Sequence, residues 1–152
     1  MSQAISLLPV AFVRGGRAQP LDDSWNSETA RIELDTRFGP EALSGLEAFS
    51  HTEVIFHFDR ATKEETGARH PRGRADWPLV GIFAQCGKDR PNRLGVSVCK
   101  LLSVKGTVLT VRGLDAIDGT PVIDIKPVMK GFLARGEIRQ PQWADEIMKD
   151  YW

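Results

Sequence analysis

Gly95-Val96-Ser97-Val98-Cys99-Lys100-Leu101-Leu102-Ser103-Val104-Lys105-Gly106-Thr107-Val108-Leu109-Thr110-Val111-Arg112-Gly113-Leu114 is the stretch whose reading decides the fold. Two strand-like runs, Gly95 to Val104 and Thr107 to Leu114, are hinged at Lys105-Gly106. A two-residue connection with glycine where the backbone needs positive φ is a strong short-range hairpin signal. Working outward, Pro121 to Ile125 reads as a further short strand. Leu79 to Gln85 and Leu7 to Val13 are short apolar runs that fit buried strands. Thr52 to Phe58 is rich in β-formers, and Thr29 to Leu34 alternates Ile32 and Leu34 with Arg31 and Glu33. Helical signals are local: Gly39-Pro40-Glu41-Ala42-Leu43, soon stopped by Gly45, and Pro141 to Asp150 with Trp143 and Ile147 on one side. Six or seven strands without strand–helix–strand alternation predict an all-β antiparallel sheet or barrel, not a doubly wound α/β domain.

The 152 residues are expected to form a single domain spanning 1–152. With 41% hydrophobic and 26% charged residues the composition excludes a disordered or fibrous chain. No apolar run approaches a membrane span, and Met1-Ser2-Gln3-Ala4-Ile5 lacks the features of a signal peptide. Cys86 and Cys99 make no disulfide framework, so the expectation is a soluble cytoplasmic domain with no membrane partner.

Charge is zero in sum but uneven. Residues 19–53 carry eight acids against Arg31 and Arg37, and residues 66–105 carry eight bases against Asp76 and Asp89, a local balance of −6 followed by +6. Either one face meets an anion, or the two parts neutralise each other in space. The polar stretch from Lys63 to Pro78 is long for a structureless connection, and such loops are usually functional or disordered.

Several chemistries are excluded. No two glycines are separated by a single residue, and there is no GxxxxGK[ST] loop, CxxC or HExxH. His51, His57 and His70 are scattered, and His57 reads as a strand residue rather than a ligand. Cys86 and Cys99 read as inert strand residues, with no histidine beside either in sequence. Three segments remain. His70-Pro71-Arg72-Gly73-Arg74 is a rigid basic turn. Asp89-Arg90-Pro91-Asn92-Arg93-Leu94-Gly95 leads a turn into a strand, with Asn92 and Gly95 suited to unusual backbone angles and Arg90 suited to clamping an anion. Asp115 to Pro127 gathers Asp115, Asp118, Asp124 and Lys126 around a turn stiffened by Gly119 and Pro121, which on structural grounds alone is an Asp-Gly turn whose carboxylates cap backbone amides.

Together these segments resemble the TsaA/YaeB family, the TrmO-type S-adenosylmethionine-dependent tRNA methyltransferases. The resemblance is carried by Pro78-Leu79-Val80-Gly81-Ile82-Phe83-Ala84, Arg90-Pro91-Asn92 with Gly95 and Ser97, Leu114 to Val122, Gly45 to His51, and the opening strand ending in Val13-Arg14, and it runs from about residue 7 to 130. It implies a small antiparallel β-barrel with a long loop insertion and short peripheral helices, pairing as a homodimer. It also implies N6-methylation of threonylcarbamoyl-adenosine beside the anticodon of tRNA, with no role for DNA and no metal. The donor, S-adenosyl-L-methionine, would be held by Asp115, Ala116, Ile117 and Asp118, with Gln19, Pro20, Phe58, Asp59, Cys86, Arg90, Asn92 and Val96 as further contacts. Arg69, Arg72 and Arg74 would meet tRNA phosphates. No residue presents itself as the catalytic base. Departures from the family pattern are Cys86 where an arginine is usual, Arg93 where a proline is usual, and Asp59 where a histidine is usual. The loop after Arg14 is short, and the second domain of the longer members has no counterpart in this sequence. Alternatives are a donor-binding module without tRNA activity, or methylation of a small molecule.

Overall fold

The computed structural model describes residues 2–152. Six strands close into a barrel: β1 (Ala11–Arg14), β2 (Thr29–Leu34), β3 (His51–His57), β6 (Leu94–Lys105), β7 (Val108–Arg112) and β8 (Pro121–Pro127). Their order around the wall is β1-β2-β7-β6-β3-β8, and every barrel pairing is antiparallel. Closure removes the unpaired edges that would otherwise template aggregation. Alternation fills the interior: Val13, Ile32, Val54, Phe56, Leu109, Val111 and Val122 are at most 1% exposed. Thr52 is polar but equally buried, and its hydroxyl donates to the Lys126 carbonyl at 2.8 Å. Register shifts at Leu101/Ser103 and opposite Ile55/Phe56 mark bulges that help the sheet bend shut.

The predicted hairpin forms, one residue later than expected. Lys105 pairs with Val108, so the loop is Gly106-Thr107, with Gly106 at φ +61°. Other expectations are corrected. The first strand begins at Ala11, and Leu7 and Leu8 are exposed because they have no strand to pair with. The Leu79 to Gln85 run is not one strand. Only Val80–Gly81 (β5) pairs, with Ala68–Arg69 (β4), before a 3-10 turn at Ile82–Ala84 buries Ile82 and leaves Phe83 out. Cys86 therefore lies outside any strand and is exposed, whereas Cys99 sits inside β6. Asn92 does take a left-handed conformation (φ 61°), but Gly95 does not. Gly95 answers a different need: a Cβ there would lie 2.6 Å from the Phe56 ring and 2.8 Å from that of Phe58. The C-terminal helix α1 (Gln142–Met148) forms as expected, with Trp143 and Ile147 half-buried on one side.

Candidate functional site

Because the barrel is antiparallel, three connections leave it at the same end: residues 15–28, 58–93 and 113–120. Backbone ties join the first to the third: Gly113 N donates to the Glu28 carbonyl at 2.9 Å and Asp118 N to that of Arg17 at 2.8 Å, while Phe58 N to the Arg93 carbonyl at 2.8 Å closes the base of the second. The opposite end carries the tight Gly106-Thr107 turn and the link from β2 to β3.

The 15–28 loop is organised by Arg17, which sequence reasoning missed. Its guanidinium lies 3.9 Å from the centre of the buried Trp25 ring, donates to the Asp23 and Ser24 carbonyls at 2.8 Å, and pairs with Glu28 at 3.1 Å. Asp118 Oδ1 accepts from Gly15 N at 2.8 Å, the backbone-capping role that an Asp-Gly turn predicts. Arg60 reaches the Asp118 carbonyl at 3.3 Å, which brings the Phe58–Asp59 segment to the same turn.

Asp115 is the unusual residue. Its Oδ2 accepts from the Tyr151 hydroxyl, while its Oδ1 is buried and has no hydrogen-bond partner among the described residues. Few buried carboxylate oxygens go unpaired, because water's hydrogen bonds are lost without replacement. Burial, with the nearby Asp115 charge second, pushes the Cys99 thiol up to about 12 and keeps it protonated and unreactive. Burial, again with Asp115 second, raises the Tyr151 phenol above its ordinary range. Tyr151 is held by the backbone: Ser24, Trp25 and Asn26 N donate to the carbonyls of Asp150, Tyr151 and Trp152 at 3.0, 2.9 and 3.1 Å.

Of the residues singled out from sequence, Asp115, Ala116, Ile117 and Asp118 stand together beside the 15–28 loop, with Ala116 buried in the core. Gln19 and Pro20 are exposed on that loop. Phe58 packs edge-on against Phe56 with centroids 5.2 Å apart, and the 90–93 turn adjoins it. Asn92 and Arg93 both have positive φ in that turn, a strained arrangement of the kind that clusters at binding sites. Arg90 donates to the Gln85 carbonyl at 2.6 Å, so its guanidinium braces the insertion next to Cys86. Val96 is not brought to this end's interior; it is 59% exposed on the outer face of β6.

The three arginines of the basic loop are each in an ion pair. Arg69 meets Asp89 at 3.1 Å, Arg72 grips Asp23 through two contacts of 2.7 and 3.2 Å, and Arg74 pairs with Asp76. Among the described residues, only the Arg72–Asp23 ion pair joins the basic segment to the acidic one. The Asp76 carboxyl is held below its ordinary range by its hydrogen bond to Arg74.

The molecule is a closed six-stranded antiparallel barrel whose converging loops surround a half-buried carboxylate with one oxygen held by Tyr151 and the other without a partner among the described residues. Residues 16–132 match the tRNA-methyltransferase O N-terminal domain, and the chain belongs to that family. It is 32% identical over 141 residues to a probable S-adenosyl-L-methionine-binding protein of Pyrococcus abyssi, a match covering 86% of this chain and 72% of that one. It is likewise 32% identical over 128 residues to the tRNA (adenine(37)-N6)-methyltransferase of Homo sapiens, covering 84% of this chain but 29% of the human protein. The crystal structure of TrmO from Pseudomonas aeruginosa superposes with a TM-score of 0.74 at 29% identity, covering 90% of this chain and 62% of that one. The chain thus spans under two thirds of these last two relatives.

Proposed function

We propose that this chain is an S-adenosyl-L-methionine-dependent methyltransferase acting on N6 of an adenosine in tRNA, with threonylcarbamoyl-adenosine beside the anticodon as the acceptor. The observation that carries this reading is the buried, unpartnered Asp115 Oδ1 at the loop-bearing end of a barrel of this family. The donor has hydroxyls on its ribose and an ammonium on its amino-acid arm, so a lone carboxylate acceptor fits its chemistry. When bound, S-adenosyl-L-methionine supplies an electrophilic methyl group on a sulfonium centre.

The chain's own part is to bind, align and exclude water. Asp115 supplies an acceptor; Asp118 fixes the 113–120 turn against Gly15; the Phe58 ring and the 90–93 turn wall the adjoining side. No side chain is assigned as a base, since an exocyclic amine can shed its proton to water after attack. Gln19, Pro20, Asp59, Cys86, Arg90, Asn92 and Val96 complete the proposed donor contacts. Val96 reaches the donor only from a neighbouring surface, which agrees with a homodimer packed on β6. Leu94, Val96, Val98 and Leu102 leave 36, 59, 47 and 44% of their surface exposed on that strand, an apolar stripe suited to a second copy. For tRNA, Arg69, Arg72 and Arg74 remain proposed contacts, but each already serves a carboxylate. Lys88 and Arg93, which make no ion pair among the described residues, are the stronger candidates for phosphates.

The internal pairing of the basic loop also favours a second reading, a donor-binding module without tRNA activity. Incubation with methyl-labelled donor and tRNA from a strain lacking this gene separates the two. Label in the tRNA supports the enzyme, and donor binding without transfer supports the module.

A further inference from the structure

The segment after β8 returns to the loop-bearing end, and its last described residues reach the candidate site. Helix α1 is tethered on one side, where Trp77 Nε1 donates to Glu146 at 2.6 Å from within the insertion. Beyond α1, three consecutive amides of the 15–28 loop hold the carbonyls of residues 150–152. Ser24, the first of those donors, takes the left-handed conformation (φ 65°). So does Arg72 (φ 53°), whose guanidinium grips the neighbouring Asp23. Tyr151 stands between these anchors, half-buried, its ring edge-on to Trp152 at 4.9 Å. Four segments distant in sequence thus agree on where one phenol oxygen goes, and it goes to Asp115 Oδ2.

We propose that Tyr151 is a positioning residue, whose hydroxyl occupies Asp115 Oδ2 and so fixes the carboxylate with Oδ1 left as acceptor for a hydroxyl or ammonium of the methyl donor. The inference rests on the reading of Asp115 as a donor-binding group. A carboxylate on a two-bond side chain can swing; a hydrogen bond to one oxygen from a backbone-anchored ring removes that freedom before the donor arrives. With Oδ2 engaged by the phenol and Oδ1 without a partner among the described residues, Oδ1 is the oxygen left with its acceptor capacity unused. The phenol's raised ionisation, driven first by burial, keeps it in the donating form across the working pH range.

Tyr151 is the only tyrosine in the sequence, so protein labelled with carbon-13 at tyrosine Cζ gives one resonance that reports this contact. In the wild-type chain that resonance is expected to move when S-adenosyl-L-methionine is added, and in Asp115→Asn to start from a different position and to move little. Calorimetry on Tyr151→Phe, which keeps the ring and removes only the hydroxyl, should show donor affinity falling five- to thirtyfold in a chain whose circular dichroism spectrum matches the wild type. Unchanged affinity in Tyr151→Phe, beside a wild type that binds, overturns the positioning role and leaves the site standing. Tighter binding also overturns it, since the phenol would then compete for Asp115. A wild-type resonance indifferent both to donor and to Asp115→Asn overturns it without any variant of Tyr151. A wild-type chain that binds no donor overturns the positioning role together with the reading on which it rests.

Discussion

At one end of the barrel the chain reverses within two residues, Gly106 and Thr107, and the ties to other segments run from backbone to backbone, as Leu34 N to the Thr107 carbonyl at 3.0 Å. At the other end, Arg72 meets Asp23 across 49 residues, Tyr151 meets Asp115 across 36, and Gly15 meets Asp118 across 103. The tight end is stabilised by strand pairing and buried apolar surface. The open end buries Trp25, Trp77 and Ile82 outside that core and is otherwise held by hydrogen bonds and part-exposed ion pairs, which are worth little individually. The barrel therefore carries the contiguous core, and the open end carries the contacts between distant segments, a division expected when loops are placed by a rigid wall.

That contrast is broken most severely from inside the wall. Phe56 is 1% exposed, and Phe56→Ala should cost about 3–5 kcal/mol in urea unfolding. Alkali attacks the same wall through Cys99. Its thiol is raised from an ordinary 9.0 to about 12, so the folded state holds a proton that the unfolded state releases. The stability this supplies is complete below pH 9 and is lost as pH rises towards 12, by up to about 4 kcal/mol at roughly 1.36 kcal/mol per unit. In native protein near pH 8 a thiol reagent should label the exposed Cys86 quickly and Cys99 only through unfolding. Gly95→Ala forces a methyl group into the Phe56 and Phe58 rings and should cost about 1–3 kcal/mol, with Phe58 and the 90–93 turn displaced. At the open end Arg72→Ala should cost less than about 1 kcal/mol, since the side chains of Arg72 and Asp23 are 27% and 38% exposed. A loss of several kcal/mol in Arg72→Ala would mean that the open end shares the work of folding.

The same contrast explains what was legible in the sequence. Alternation in Thr29 to Leu34 places β2 to the residue, and the Gly106 signal places the hairpin within one, because both are local. Leu79 to Gln85 misleads because an apolar run says that something is buried without saying in what conformation; here a turn buries Ile82 and Gln85 instead of a strand. Gly95 was noticed for the wrong reason, since the rings that demand it lie on β3 and just beyond. The segment Asp115 to Asp118 reads in sequence as a carboxylate-rich turn, but nothing local separates Asp118, which caps Gly15, from Asp115, which takes the Tyr151 hydroxyl on one oxygen and has no partner for the other among the described residues. Tyr151 is invisible in sequence because its partner Asp115 lies 36 residues away, and Arg17 and Trp25 because an irregular loop has no periodicity to show which of its side chains turn inward on one another. Their only sequence signal was large aromatic and cationic side chains set among otherwise polar loop residues. Arg69 and Arg72 look free in sequence because their acids lie 20 and 49 residues away, whereas the Asp76 that pairs with Arg74 is only two residues on.

The central claim is that Asp115 is the carboxylate that receives the methyl donor. Calorimetric titration of S-adenosyl-L-methionine into the wild type and into Asp115→Asn, each checked for an unchanged fold by circular dichroism, tests it directly. Loss of a buried charge-assisted contact is worth roughly 1.5–3 kcal/mol, so the affinity should fall about tenfold to a hundredfold. A folded Asp115→Asn chain that binds the donor as tightly as the wild type would contradict the account.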